Sequence, residues 1–444
     1  MIGEAATVAR GSALLFVSRI VGNAGFFVAV LVLTRALSVP HRGEFAFTTT
    51  AAQVLARLAS LGITEATSVF AAREPDQRRS LLSNALLFTG ASSTLVAAVF
   101  CLVLAMSHET RPLGLTNSDL GLLIAGALFS ALAGAGHTFL SGCGSWKLQS
   151  LAQAISPWLY ALLIAGAWTV EPLDLERSLQ IWVAYYSIWA GTLLIVAARV
   201  APPGRPSRAL LRRSLHFGVR AWAGSVMSLL NARTDQLLMG FIATQAALGV
   251  YVVAVNTSET LLILPDAVAV ALLTSLARAN AASRPELALR TFRVVGSVSV
   301  VATLVAGACA PLLLPAVFGH GYRASVTPFL WLIAGTIGFV ASQVFGKALL
   351  AASSPGFASI APVASLVLGT ALDFALIPPL GATGAAVAAT ASFATGGVAS
   401  FLLYRRRETF PYRLLVPTRA DFTFARSLFG RTVATADRRV QSRA

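Results

Sequence analysis

Charge is scarce in this chain. Only 12% of its 444 residues are Asp, Glu, Lys or Arg, where a soluble domain carries roughly 25%. Hydrophobic residues make up 56%, and the mean hydropathy is +0.74. That balance excludes an ordinary soluble domain and predicts a polytopic membrane protein. Acids are the scarcer sign, 18 against 34 Lys and Arg, for a net charge of +16. In a soluble protein such an excess would point to nucleic acid. Here there is no zinc-finger spacing and no basic-aromatic interleaving, and the basic residues fall between and after apolar segments. The positive-inside rule accounts for them, and no nucleic-acid partner is expected.

Other absences narrow the chemistry. The three cysteines, Cys101, Cys143 and Cys309, lie within or at the ends of apolar segments without metal-ligand spacing. They read as small packing residues, and no disulfide framework, metal or cofactor is expected. The five histidines are scattered. The longest outward loop, His108 to Ser118, is too short for a catalytic domain and holds no acidic pair, so an enzyme is not expected. No charged region followed by a short apolar core and a cleavage site opens the chain. The first apolar run, after Arg10, reads as a retained membrane helix.

What is present is a series of long apolar runs. Twelve helical spans are predicted, at about 11–37, 44–70, 81–106, 119–143, 148–170, 178–198, 215–243, 249–276, 292–317, 326–352, 357–380 and 383–404. All must be helical, because an open sheet cannot satisfy its backbone in lipid. With a cytoplasmic N-terminus, the inward segments and the tail hold 25 of the Lys and Arg residues and the outward loops hold five. Both termini are therefore expected in the cytoplasm.

The chain also repeats itself. Gly43-Glu44-Phe45 corresponds to Gly249-Val250-Tyr251 at an offset of 206, and Ala72-Arg73 to Ala277-Arg278 at 205. Gly90 and Ser93 correspond to Gly296 and Ser299, and Pro172-Leu173 to Pro379-Leu380 at 207. The nearly constant offset predicts an all-α fold of two six-helix lobes in a parallel pseudo-repeat. The lobes are 1–200 and 214–404, the basic cytoplasmic linker is 201–213, and the basic cytoplasmic tail is 405–444.

Ionisable residues inside the spans mark the candidate site. Each costs about 2.5–3.5 kcal/mol at a helix centre on insertion scales, so such residues usually face a bundle interior or a water path. Arg233 and Asp235 lie within the seventh span, and Glu259 and Asp266 within the eighth. Asn256, Glu259 and Asp266 share one helical face. In the first lobe, Arg19 and Asn23 lie on one face of span 1, and Arg57 lies on a polar face of span 2 beside Glu65. Arg19, Arg57 and Arg233 would line one cavity from both lobes. Arginine remains charged when buried and grips phosphate in a bidentate fork, so this cavity suits an anionic ligand. The alternative is that the charges only pair between helices. Lys347 and Arg220 read as interfacial, and Asp373 as a hydrogen-bonding residue near the outer end of its span.

Three stretches carry a resemblance. LLNARTDQLLMGFIATQAALGVYVVA combines an Arg-x-Asp, a short turn and a Gly-x-Tyr; FALIPPLGATGAAVAAT and LTRALSVPHRGEFAF are the other two. In order, they resemble the seventh-helix region, the eleventh-to-twelfth-helix segment and the first connector of bacterial polysaccharide flippases. These are the Wzx-type members of the multidrug/oligosaccharidyl-lipid/polysaccharide exporter superfamily. The resemblance implies a two-lobed bundle in the bacterial cytoplasmic membrane, working by alternating access. It implies a polyprenyl-diphosphate-linked oligosaccharide moved from the cytoplasmic to the outer leaflet for cell-surface polysaccharide biosynthesis. A polysaccharide polymerase or glycosyltransferases would be partners. Of the expected cavity residues, only Arg233 and Asp235 sit on a motif of that family; Arg19, Asn23, Arg57, Asn256 and Glu259 join them as substrate-binding residues by the polar-face argument. Two alternatives stay open: a lipid II flippase, usually of fourteen helices, and a cation-coupled multidrug antiporter using Asp235, Glu259 and Asp266 for coupling.

Overall fold

The computed structural model describes residues 2–106, 114–280, 283–352 and 355–408. The expected basic tail beyond Glu408 and most of the loop at 108–118 lie outside the described residues. The rest is built from fourteen α-helices. They are α1 (Ile2–Ala36), α2 (Val39–Ala59), α3 (Ile63–Arg73), α4 (Arg78–Met106), α5 (Asn117–Gly142), α6 (Trp146–Val170) and α7 (Leu175–Val200). Then follow α8 (Arg208–Ile242), α9 (Gln245–Arg278), α10 (Arg284–Phe318), α11 (Val326–Ala334), α12 (Thr336–Ala351), α13 (Pro355–Leu380) and α14 (Ala382–Arg407).

Every expected span coincides with a helix or a pair of helices, but their character differs. Ten are long and apolar enough to cross a membrane, and α2 with α3 makes an eleventh if that bent pair is one span. The helix at the remaining expected position, α8, is 35 residues long but too polar to be counted with them. It begins at Arg208, so the later part of the basic linker is helical.

Local signals set the helix starts. The Ser38 hydroxyl accepts from the His41 amide at 3.4 Å, with Pro40 in the first turn of α2. Thr116 and Asp119 form a reciprocal capping box on α5, and the Asp174 carboxylate accepts from the Arg177 amide at 2.8 Å on α7. Each satisfies amides that the first turn leaves open. On α4, exposed Leu95, Val99, Leu102, Val103 and Met106 form one stripe, while Thr89, Ser93, Ala97 and Cys101 are buried on the other. Large apolar residues outside and small or polar ones inside suit a helix facing lipid.

The helices gather into two compact units. The first comprises Met1–Asn256, Leu312–Pro328 and Leu372–Ala385. Its main apolar cluster joins Phe70, Leu81, Leu82, Phe139, Leu140, Leu193 and Leu210. The second comprises Thr257–Pro311, Phe329–Ala371 and the chain from Ala386 onward. Leu272, Leu289, Val340, Phe345, Leu349 and Tyr404 are buried together there.

Inside the first unit, α2 and α9 meet through glycine. A Cβ on Gly43 would lie 2.1 Å from the Gln245 carbonyl oxygen, and one on Gly249 would lie 2.0 Å from that of Val39. Val39 and Gly43 correspond to Gln245 and Gly249 under the offset of 206, so the contact is reciprocal. Such local reciprocity is what a pseudo-two-fold axis between these two helix starts would produce.

Candidate functional site

The bent pair α2–α3 and the polar helix α8 form the site's frame. The apolar run reads straight through positions 44–70, yet the chain breaks at Ser60-Leu61-Gly62, and the two helices meet at 56°. Leu61 has φ 43° and Gly62 φ 79°. Gly62 adopts the left-handed conformation that ends helices at low cost. A Cβ on Gly62 would lie 2.1 Å from the Gly218 oxygen, and one on Gly218 would lie 2.1 Å from the Gly62 oxygen. α8 therefore crosses the break backbone to backbone.

Breaking a helix at membrane depth frees backbone groups, which must find partners in protein. The Arg57 carbonyl accepts from the Trp222 indole at 3.0 Å and from the Ser60 hydroxyl at 2.8 Å. Side chains close the gap. The Arg57 guanidinium pairs with Glu65 across the break and reaches the Thr64 hydroxyl at 3.3 Å. Glu65 also accepts from Thr64 at 2.8 Å and from Ser225 of α8 at 2.7 Å. Its place in the first turn of α3 is favourable to a carboxylate.

From there α8 runs antiparallel to the pair. Thr50 donates to Gln236 at 3.2 Å, and a Cβ on Gly240 would press on the Phe47 ring at 2.0 Å. At the other end, Phe217 packs on Phe70 with centroids 5.2 Å apart. Arg213 donates to Glu74 at 2.9 Å and lies 4.5 Å from the Phe70 ring centre. That guanidinium holds the Glu74 carboxyl below the usual carboxylate range.

Arg233 lies on the stripe of α8 that includes Trp222, Val226, Leu229, Gln236 and Gly240, the stripe turned toward α2. Arg57 lies on the facing stripe with Thr50 and Val54. Both arginines are half-buried. Asn231 and Asp235 point to the opposite side of α8. There the Tyr251 hydroxyl of α9 donates to the Asp235 carboxylate, whose other oxygen accepts from the Gln236 amide at 2.7 Å. The Arg-x-Asp and Gly-x-Tyr of the sequence thus meet. Gly249 lets α9 approach α2, and Tyr251 holds Asp235.

The other expected site residues are more dispersed. Arg19 is exposed and Asn23 half-buried on α1. That helix is fixed to α6 by the Trp158 indole, which donates to the Val21 carbonyl at 3.0 Å. Asn256 ends the first unit's part of α9. Glu259 and Asp266 belong to the second unit, where both are half-buried.

Asp373, expected to hydrogen-bond near the outer end of its span, is only 4% exposed, and its Oδ1 has no hydrogen-bond partner among the described residues. The sequence signal for its burial was weak, a single acid in an apolar run. Trp222 and Ser225 were likewise missed, since neither is charged.

Comparisons with known proteins accord with this architecture. A family profile described as a polysaccharide biosynthesis protein matches residues 151–327, a stretch that includes Arg233, Asp235 and Tyr251. No curated protein matches the chain by sequence. Among solved structures, the chain is similar to the lipid II flippase MurJ in an inward closed conformation. The TM-score is 0.70 and the identity 13%, over 92% of this chain and 89% of that one. It is similar to an inward-facing multidrug resistance MATE family transporter of the MOP superfamily, with TM-score 0.61 and 12% identity over 88% and 98% of the two chains. A Vibrio cholerae MATE transporter gives 0.52 and 12% over 90% and 99%. At such identities the likeness is one of fold, and the chain has the all-helical membrane fold shared by these transporters.

Proposed function

We propose that this protein is an alternating-access membrane transporter for a polyprenyl-diphosphate-linked glycan. The observation that carries this reading is the pair of arginines, Arg57 and Arg233, on facing stripes of α2 and α8. A diphosphate offers several acceptor oxygens to such forks. On this reading Asn23 and Asn256 would serve as neutral partners for sugar, and Arg19 as a further cation. The substrate class covers both a surface-polysaccharide precursor and lipid II. The family profile supports the first, and the similarity to MurJ supports the second. A ligand drives the exchange of states only through its different affinity for each.

A second reading has its own support. The intramembrane carboxylate of Asp235, held by the Tyr251 hydroxyl, suits a coupling cation, and the MATE transporters with this fold include one that is a multidrug transporter by name. On that reading the chain would exchange protons or sodium for a cationic drug. The two are separated in proteoliposomes. Scrambling of a fluorescent polyprenyl-diphosphate oligosaccharide should rise at least about tenfold over protein-free vesicles, about 1.4 kcal/mol in the barrier. Uptake of a cationic dye under a proton or sodium gradient should stay at background. Dye transport without scrambling would replace the first reading with the second.

The orientation belongs to the same proposal. Reporters fused after Ala201 and after Arg407 should read cytoplasmic, and one at Gln245 external. A cytoplasmic reading at Gln245 would reverse the α8–α9 hairpin.

A further inference from the structure

Within the first unit the last turns of α1 and α10 meet, and a guanidinium joins them. Arg35 lies in the last turn of α1. Its Nε donates to the Val317 carbonyl at 2.7 Å and its Nη2 to the Ala316 carbonyl at 2.5 Å. Both acceptors belong to the end of α10, where carbonyls run out of amides from their own helix. The Gly319 amide serves the Pro315 carbonyl at 2.9 Å, and the Arg35 fork serves the next two. Two turns back along α1, Phe27 packs edge-on against Phe318, with ring centroids 6.2 Å apart.

Two helix C-termini brought together repel, since each macrodipole ends in partial negative charge. A guanidinium reaching from one to the other converts that repulsion into attraction, and its flat fork suits two adjacent acceptors. Other contacts at this end are of a different kind. A Cβ on Gly249 would lie 2.0 Å from the Val39 carbonyl oxygen, and one on Gly321, in the turn between α10 and α11, 3.3 Å from Val39 Cγ2. Glycine surfaces pack closely but offer only weak C–H···O bonds, so they part more readily than bonded ones.

The parts around the fork are also suited to release. Arg35 is exposed, so its charge is not stranded when the bonds break. Pro311 and Pro315 each lack the amide that would bond one turn back, which lets the tip of α10 bend. α10 joins the first unit at Leu312, directly after Pro311.

We propose that the Arg35 fork on the α10 terminus is a latch. It holds the α1–α2 junction to the tip of α10 and is released when this end of the bundle, the outer end in the proposed orientation, opens during transport. The latch rests on the alternating-access reading and on no choice of substrate.

Two measurements on the full-length protein test it, both with Cys101→Ala, Cys143→Ala and Cys309→Ala to remove the free thiols. The first needs no transport. Phe318 is 3% exposed, so Phe318→Cys places a thiol that a polar maleimide reaches when the tip leaves α1. Adding Arg35→Met should raise the labelling rate of the purified protein at least about fivefold, by shifting the population toward the open tip. An equal rate with and without Arg35→Met would overturn the latch. The second leaves Arg35 in place. Val39→Cys/Gly321→Cys puts two cysteines within reach of a disulfide across the same junction. In proteoliposomes, oxidation should lower the flux of whichever probe the protein carries, glycan lipid or cationic dye, at least about tenfold, and a reducing agent should restore it. Undiminished flux through fully cross-linked protein would show that this junction does not open, and would overturn the proposal. Flux of neither probe before oxidation would instead strike the proposed function, and the labelling rates would then decide the latch by themselves.

Discussion

Gly62→Ala should remove most of the folded protein. The new methyl group would lie 2.1 Å from the Gly218 oxygen and 2.2 Å from its carbonyl carbon. Both are backbone atoms, so no rotamer change can yield room. Alanine would also have to hold φ near 79°. Overpacking costs about 1–3 kcal/mol and the left-handed conformation about 1–2 more. That sum is a large part of the roughly 5–15 kcal/mol that holds a typical protein folded. Gly218→Ala should behave alike, because its methyl meets the Gly62 oxygen. Gly121→Ala and Gly134→Ala are the controls, since nothing lies within 4 Å of either. Fluorescence-detected size exclusion should show the monodisperse peak reduced at least about fivefold for Gly62→Ala and Gly218→Ala, about 1 kcal/mol or more. A peak and Tm for Gly62→Ala matching those of Gly134→Ala would disprove the tight crossing.

Arg233→Ala should leave the protein abundant and abolish transport. The arginine stands on the α2-facing stripe of α8, opposite the stripe of Arg57, and the charge it supplies is what a diphosphate would need. Losing a charge-assisted bidentate contact costs about 2–5 kcal/mol when its partner is buried, so scrambling should fall by at least about thirtyfold, or 2 kcal/mol. Arg233→Lys keeps the charge and loses the fork, and it should recover only part of the rate. Arg57→Ala should differ in kind. It strands Glu65, so abundance should fall. Adding Glu65→Gln should restore abundance without restoring transport. Normal scrambling by abundant Arg233→Ala would end the claim that this arginine holds substrate.

The contrast between these arginines shows where the sequence could be read and where it could not. Long apolar runs announced the helices, because lipid demands a continuous apolar surface and an internally bonded backbone. The break at Ser60-Leu61-Gly62 was hidden, since a bent span and a straight one need the same apolar residues. Along a straight helix, Arg57 and Glu65, eight apart in sequence, would be about 12 Å apart. Only the break makes them partners. The burial of Asp373 was hidden for a related reason: a lone acid in an apolar run has no local feature that tells how deeply it is enclosed. The Arg-x-Asp and Gly-x-Tyr, by contrast, were legible as a pattern because the turn between α8 and α9 brings their ends together.

The polarity of α8 bears on how the chain is made. This helix is not among those apolar enough to enter lipid alone, and Trp222, Ser225 and Gln236 spend their polar groups on α2 and α3. A ribosome delivers the covering helices first and their polar tenant much later. The earlier pair must therefore keep a vacant berth through the synthesis of α4 to α7. The apolar helix α9 follows directly and supplies the drive that α8 lacks. Biogenesis at this position is then a matter of docking as much as of partitioning, with the nascent segment recognised by protein already in place.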